Sequence, residues 1–285
     1  MTLRWIVGRD EGMGLMYDSG AGSVLATGQA VGNIRVLTGV RSPELGNARD
    51  VQVYLPPSYA ESGRHYPVLY MHDGQNLFDP AASFAGEWRV DDTLEQIAAD
   101  GVEAVVVAIP NMGSERLDEY TPFVDQHKGG GRGDAYLDFV VNTLKPEIDR
   151  LFRTRHERSH TGIMGSSLGG LISLYAFFRH PGVFGFAGVM SPSLWWAGRA
   201  VFPFVGRYPR WSGRIYLDIG TAEGRTHVRD ARLMARHLRK TTEFPRRNLL
   251  FVEEKGAGHH EDAWAQRFER AIRFLLPFTP PDLHW

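Results

Sequence analysis

The stretch Gly162-Ile163-Met164-Gly165-Ser166-Ser167-Leu168-Gly169-Gly170 constrains the fold more than any other part of the chain. Within it, Gly165-Ser166-Ser167-Leu168-Gly169 fits G-x-S-x-G, in which a serine occupies a sharp turn between a strand and a helix and its hydroxyl is held out from the backbone. The glycines two residues to either side serve a steric end, because strand and helix converge there and glycine alone adopts the required dihedrals freely. Five letters of such common residue types also recur by chance, and a plain Gly/Ser turn reads the same. The weight of the motif depends on the pattern around it and on the other groups a serine nucleophile needs.

The surrounding pattern is that of alternating strands and helices. Residues 33–37 and 49–55 alternate polar and apolar, as half-buried antiparallel strands do, and Pro56-Pro57 ends the second because proline supplies no ladder donor. Residues 66–72 and 104–109 are continuous apolar runs, expected of strands covered on both faces. Helical spacing appears at 89–100 and at 137–151, with Pro146 marking a kink or break in the latter. A strand at 159–164 feeds the elbow and a helix at 169–179 follows it, with His180-Pro181-Gly182 as its stop. Strands at 186–190, 214–219 and 248–253 and helices at 230–239 and 263–276 complete the series. Strand and helix patterns alternate through the span, which argues for a largely parallel sheet wrapped by helices. Gly129-Gly130-Gly131-Arg132-Gly133 reads as a mobile loop. Residues 1–30 are Gly-rich and carry no firm pattern, so the expected organisation is an N-terminal extension over 1–30 and one domain over 31–285.

Composition narrows the function classes. The 285 residues are 43% hydrophobic with a formal charge of −1, enough for a sizeable core and without the global field that nucleic acid or an anionic membrane would call for. The absence of cysteine excludes disulfides, thiolate metal sites and a cysteine nucleophile. Met1-Thr2-Leu3-Arg4-Trp5 lacks the charged start and apolar run of a signal peptide, and no run reaches the ~18 apolar residues of a membrane span. The expectation is a cytoplasmic protein with no nucleic-acid or membrane partner; its oligomeric state is not readable.

A serine hydroxyl becomes a useful nucleophile only when a base takes its proton, and a third group must orient that base. In a sheet that carries a nucleophile elbow the chain order is serine, acid, histidine, each after a strand. The strand 214–219 runs into Gly220-Thr221-Ala222-Glu223-Gly224, and the strand 248–253 into Gly256-Ala257-Gly258-His259-His260. Glu223 lies in the loop beyond the strand's C-terminal end, where sites form in parallel sheets, whereas Asp218 lies within the strand. Glu223 is therefore the favoured acid, Asp218 the alternative and Asp230 a remoter one. His259 ends its loop and is the favoured base. His260 begins the acidic helix start His260-Glu261-Asp262, where helix-terminal chemistry accounts for it. The adjacent histidines lack a spaced third ligand for a metal. An oxyanion needs the amide of Leu168 and a second donor from the loop after an earlier strand, which Asp73-Gly74-Gln75-Asn76 supplies in the right place.

Together these residues resemble the esterase family of α/β-hydrolases, the group of enterochelin esterases, feruloyl esterase domains and S-formylglutathione hydrolase. The resemblance rests on Val53-Tyr54-Leu55-Pro56-Pro57-Ser58-Tyr59, on His72-Asp73-Gly74-Gln75-Asn76-Leu77-Phe78-Asp79, on the elbow with its second glycine, and on His259 followed by Trp264. It spans roughly residues 33–276. It implies an α/β-hydrolase fold, with a mostly parallel central sheet, antiparallel N-terminal strands and helices on both faces. It also implies Ser167 as nucleophile, His259 as base, a Glu223-type acid, and Gly74 or Gln75 beside Leu168 at the oxyanion. The segments holding Arg116 and Tyr120, and Ser191-Pro192-Ser193-Leu194-Trp195-Trp196, resemble loops of the enterochelin-esterase branch that flank the pocket mouth. Arg116, Tyr120, Trp195 and Trp196 are therefore candidate substrate contacts, and two packing tryptophans in a surface loop are the plainer alternative.

The expected activity is serine carboxylic-ester hydrolysis through an acyl-enzyme, on a small-molecule ester of aromatic or siderophore-like type, with neither metal nor organic cofactor. Acyl transfer and thioester hydrolysis would use the same triad. A non-catalytic binding protein on a hydrolase fold is the rival from another class, and the complete serine–acid–histidine order argues against it.

Overall fold

The structure, a computed structural model, describes the backbone of Leu3–Val7 and residues 30–276 other than 84 and 243. Of the extension expected over residues 1–30, Leu3–Val7 forms a strand in a stretch without a readable pattern, and residues 1–2 and 8–29 lie outside the described residues. The strands are β1 (Leu3–Val7), β2 (Asn33–Ser42), β3 (Asn47–Leu55), β4 (Val68–His72), β5 (Val105–Ile109), β6 (Thr161–Ser166), β7 (Phe186–Met190), β8 (Arg214–Gly220) and β9 (Leu249–Glu254). They form one sheet in the order β1-β2-β3-β5-β4-β6-β7-β8-β9. The pairs from β1 to β5 are antiparallel, and every pair from β5 through β9 is parallel. This is the mixed sheet of the α/β-hydrolase expectation.

Helices follow the strands as α1 (Val90–Ala98), α2 (Arg116–Glu119), α3 (Gly133–Asp138), α4 (Lys145–Leu151), α5 (Leu168–Arg179), α6 (Trp196–Arg199), α7 (Val201–Val205), α8 (Arg225–Thr241), α9 (Pro245–Asn248) and α10 (Glu261–Leu275). The period-2 pleat sorts the central strands between two cores. Val68 and Tyr70 of β4 and Val105 and Val107 of β5 face the layer that holds α3, α4, α5 and α8. Leu69, Met71, Val106 and Ala108 face α1 and α10, which contribute Leu94, Ile97, Phe268 and Ile272. That two-sided burial is why these strands read as unbroken apolar runs.

The break expected at Pro146 takes a specific form. Phe139–Leu144 is π-helical and joins α3 to α4, and the proline falls in the first turn of α4. Proline lacks the N–H that an uninterrupted helix would use and crowds the carbonyl four residues before it, and the wider turns upstream accommodate both. The glycine run 129–133, read as a mobile loop, is tied down. The Gly131 and Gly133 amides both donate to Thr121 O, and the Gly130 amide donates to Asp118 Oδ1. Among the described residues no helix is long and apolar enough to cross a membrane.

Candidate active site

Three adjacent parallel strands end in the same way. The first residue after β4, β6 and β7 is Asp73, Ser167 and Ser191, with φ of 54°, 57° and 41°. Positive φ in a non-glycine residue costs about 1–3 kcal/mol and persists only where the surroundings over-determine it. Its repetition along the C-terminal edge marks the place where a parallel sheet builds its site.

Ser167 sits at φ 57°, ψ −119°, immediately before α5, on the turn the motif requires. Its N–H donates to Met190 O and its carbonyl accepts from the Ser193 and Leu171 amides, so the neighbouring β7 loop holds the turn from both sides. The spacing glycines have a steric cause here. A Cβ on Gly165 would stand 2.8 Å from the His72 ring and 2.9 Å from the Gly169 carbonyl carbon, so the elbow closes directly onto the end of β4. The Ser167 hydroxyl is half-buried and lies 3.3 Å from Ser193 Oγ, its hydrogen-bond partner among the described residues. No hydrogen bond joins it to His259, as is common before substrate binds.

The acid and the histidine meet. Glu223 Oε2 lies 2.8 Å from His259 Nδ1, with the carboxylate 1% exposed and the imidazole 41% exposed. The carboxylate accepts from Ser191 Oγ at 2.6 Å and from the Gly220 amide at 2.8 Å. Burial pushes the Glu223 carboxyl up, but the hydrogen bonds from His259, Ser191 and Gly220 outweigh it and hold the group below its ordinary value. An ionised carboxylate only accepts, so the proton between the two residues belongs to Nδ1, and in the neutral tautomer this selects, Nε2 is the nitrogen with the lone pair. The His259 ring stands edge-on against Trp264, with centroids 5.0 Å apart. His260 instead caps α10, its Nδ1 accepting from the Ala263 amide.

Asp218, the alternative acid, has no contact with His259. It is fully buried, 2.9 Å from Arg267 Nε, and accepts from the Ser191 amide and the Tyr216 hydroxyl. Asp230 pairs with Arg199. On the other side of the elbow, Gly74 and Gln75 begin a short 3₁₀ turn, whose first amides have no partner within the turn. A Cβ on Gly74 would come within 2.6 Å of the Ala108 carbonyl carbon, which presses this turn against β5.

The four candidate substrate contacts divide. Tyr120 is buried: its ring is 0% exposed and its hydroxyl accepts from the Asp73 amide, so it supports the turn from behind. Trp196 is buried likewise, with its indole N–H donating to Phe123 O, and matches the packing alternative. Arg116 is half-buried and forks onto both Asp73 oxygens at 2.7 and 2.8 Å, which commits two of its five donors to the protein. Trp195 is partly exposed, stacked near His227, with Lys128 Nζ 5.3 Å from its ring centroid. Nothing local in the sequence marks Lys128 and His227, because nothing signals that a loop and the first turn of α8 converge on one indole. Ser191 and Arg267 were missed for the same reason. Among the described residues no group of three or more His, Cys, Asp or Glu side chains could hold a metal ion.

Comparison with known proteins bears on this geometry. The chain is 30% identical over 246 residues to the uncharacterized protein YbbA of Bacillus subtilis, covering 81% of this chain and 93% of that one. It is 31% identical over 178 residues to the siderophore enterobactin esterase of Emericella nidulans, covering 55% of this chain and 57% of the fungal protein. Among solved structures, the BES protein from Bacillus cereus superposes with a TM-score of 0.70 at 19% identity, over 92% of this chain and all of that one, a likeness of fold. The family model described as "Putative esterase" matches residues 42–275, the span that runs from the end of β2 to the end of α10 and holds the elbow, Glu223 and His259, and by that match the chain belongs to the esterase family.

Proposed function

We propose that this esterase is a serine carboxylic-ester hydrolase that works through an acyl-enzyme, with Ser167 as nucleophile, His259 as base and Glu223 as the acid that orients the base. The observation that carries the reading is the 2.8 Å contact of Glu223 Oε2 with His259 Nδ1, which leaves Nε2 as the basic nitrogen on a histidine open to solvent. On this reading Nε2 takes the Ser167 proton as Oγ attacks the ester carbonyl, then gives it to the departing alcohol. A water deprotonated by the same nitrogen releases the acid. The Leu168 amide, with the Gly74 or Gln75 amide, faces the oxyanion; a donor there is worth about 3 kcal/mol in the transition state. Rotation of the Ser167 hydroxyl away from Ser193 is the adjustment the first step requires.

The substrate reading is an ester with an aromatic, anionic portion. Trp195 offers a π-face, and Lys128 and His227 beside it offer donors for a phenolate or carboxylate. The likeness to an enterobactin esterase supports the same class. Labelling with a fluorophosphonate probe tests the nucleophile: wild type labels, Ser167→Ala does not, and labelling retained in that variant removes Ser167 from the mechanism. A panel of p-nitrophenyl esters beside feruloyl and catecholate-siderophore esters tests the substrate class, and a preference for short aliphatic acyl groups over all aromatic ones would overturn it.

A further inference from the structure

Ser191 lies at the centre of a buried network that reaches both halves of the site. Its hydroxyl oxygen is 2.6 Å from Glu223 Oε1, 3.0 Å from Trp264 Nε1 and 3.0 Å from Arg267 Nη2. A hydroxyl has one proton and two lone pairs, whereas indole and guanidinium nitrogens only donate. Trp264 and Arg267 therefore occupy both lone pairs, and the single proton has one direction left, towards Glu223 Oε1. With the Gly220 amide on the same oxygen, Oε1 is saturated and Oε2 is turned to His259. Arg267 is itself held by Asp218, whose other oxygen accepts the Ser191 amide, so the N–H and O–H of one residue are tied to two carboxylates.

The same short segment also grips the elbow. Met190 O accepts from the Ser167 amide, the Ser193 amide donates to Ser167 O, and the two serine hydroxyls touch at 3.3 Å. From this geometry we infer that Ser191 is the positioning residue for the catalytic acid, orienting Glu223 through its hydroxyl while the residues on either side of it fix Ser167. Trp264 and Arg267, the latter held by Asp218, set the direction of that hydroxyl. The inference rests on the triad reading above and goes beyond it, since Ser191 touches none of the reacting atoms.

The test is a cycle of variants assayed on p-nitrophenyl acetate. Ser191→Ala is expected to lower kcat by roughly 10- to 100-fold, the range for a lost hydrogen bond to a charged group, with KM little changed. Ser191→Gly, which the left-handed φ favours, removes the same hydroxyl without backbone strain and is expected to lose activity to the same extent, so a folding defect in the alanine variant does not decide the matter. In a Glu223→Gln background the Ser191→Ala step is expected to change kcat by less than about threefold, because the group it acts through is gone. The downfield proton resonance of His259 Nδ1–H should broaden or shift in Ser191→Gly and persist in Ser167→Ala. Wild-type kcat in both Ser191 variants overturns the inference, and so does an equal loss with Glu223 or Gln at position 223. Wild-type kcat in Ser167→Ala or Glu223→Gln would instead bring down the triad reading, whatever Ser191 does.

Discussion

Two histidines stand at the C-terminal edge of the sheet with the same bond at the same nitrogen and opposite capacities. His259 Nδ1 lies 2.8 Å from a Glu223 oxygen, and His72 Nδ1 lies 2.8 Å from the Tyr136 hydroxyl. His72 is buried under the elbow between Tyr120 and Tyr136, its Nε2 has no partner among the described residues, and burial pushes it down to about 3. A ring in that state fills space and cannot take a proton near neutrality. His259 differs in two respects: its partner is an ionised carboxylate, and its ring is 41% exposed to solvent. A fixed Nδ1 is thus not what makes a base. The charge behind the ring and the access in front of it do.

The largest expected effects break the comparison from the catalytic side. Ser167→Ala and His259→Ala should each lower kcat by about 10⁴-fold or more, with the double variant little worse than either, as for residues that act as one unit. Ser167→Ala should not move the unfolding free energy by much more than about 0.5 kcal/mol, whereas His259→Ala, which takes one hydrogen bond from the buried Glu223 carboxylate, should cost about 1–3 kcal/mol. His260→Ala should leave kcat within a few-fold and cost stability of about 0.5–1 kcal/mol through the lost cap of α10. A damaging His260→Ala beside a harmless His259→Ala would exchange their roles.

The two acids give the next contrast. Glu223→Gln should lower kcat roughly 10³-fold, because a neutral amide neither fixes the Nδ1 tautomer nor stabilises the imidazolium. Asp218→Asn removes the nearer of the two carboxylates that face the buried Arg267, leaving Glu223 at 3.9 Å, a change that costs up to about 3–5 kcal/mol of stability. Its expected signature is a lowered urea midpoint with a smaller change in kcat. If Asp218→Asn abolished turnover at unchanged stability, Asp218 would have to be the acid.

Much of this was legible in the chain because it is local. The apolar runs at 68–72 and 105–109 announce strands buried on both faces, and the G-x-S-x-G letters announce a turn that only its own glycines permit. Glu223 could be preferred to Asp218 from position alone, since one follows a strand and the other lies inside it. What stayed hidden depends on distant partners. Ser191 and Arg267 are 76 positions apart, and neither carries a local mark of the bond between them. Trp195 and Trp196 read as one aromatic pair, yet the chain turns through positive φ at Ala197 and Gly198, and one indole is buried while the other remains partly exposed. Leu3–Val7 pairs with β2 through its backbone, and such pairing leaves no signature in side-chain order.

His72 allows the buried side of the comparison to be tested by pH. Its folded pKa, about 3, lies below the unfolded value near 6.5. Between those values the unfolded chain binds a proton that the folded protein refuses. Stability from this group is therefore complete above pH ~6.5 and is lost as pH falls towards 3, by about 3 kcal/mol between pH 7 and 4.5. His72→Gln keeps a polar partner for Tyr136 but does not titrate. The drop in unfolding free energy between pH 7 and 4.5, measured by urea titration, should be smaller in this variant by about that amount. An identical drop would mean that His72 accepts its proton in the fold, and the contrast with His259 would collapse.

The smallest effect concerns the turn itself. Ser167 holds φ 57° and ψ −119°, a conformation that costs a residue with a Cβ about 1–3 kcal/mol and glycine little. Ser167→Ala and Ser167→Gly both remove the nucleophile, so function cannot bias a comparison of their stability. Glycine loses about 0.5–1 kcal/mol through the greater freedom of its unfolded chain, which offsets part of the relief. The net expectation is a glycine variant about 1 kcal/mol more stable than the alanine one, read as a melting temperature higher by about 2 °C at this chain length. Equal stabilities would mean that the elbow is relaxed. A more stable glycine variant would mean that the contacts from Met190 and Ser193 hold the serine against its own backbone preference, a cost the fold bears at the position that carries the nucleophile.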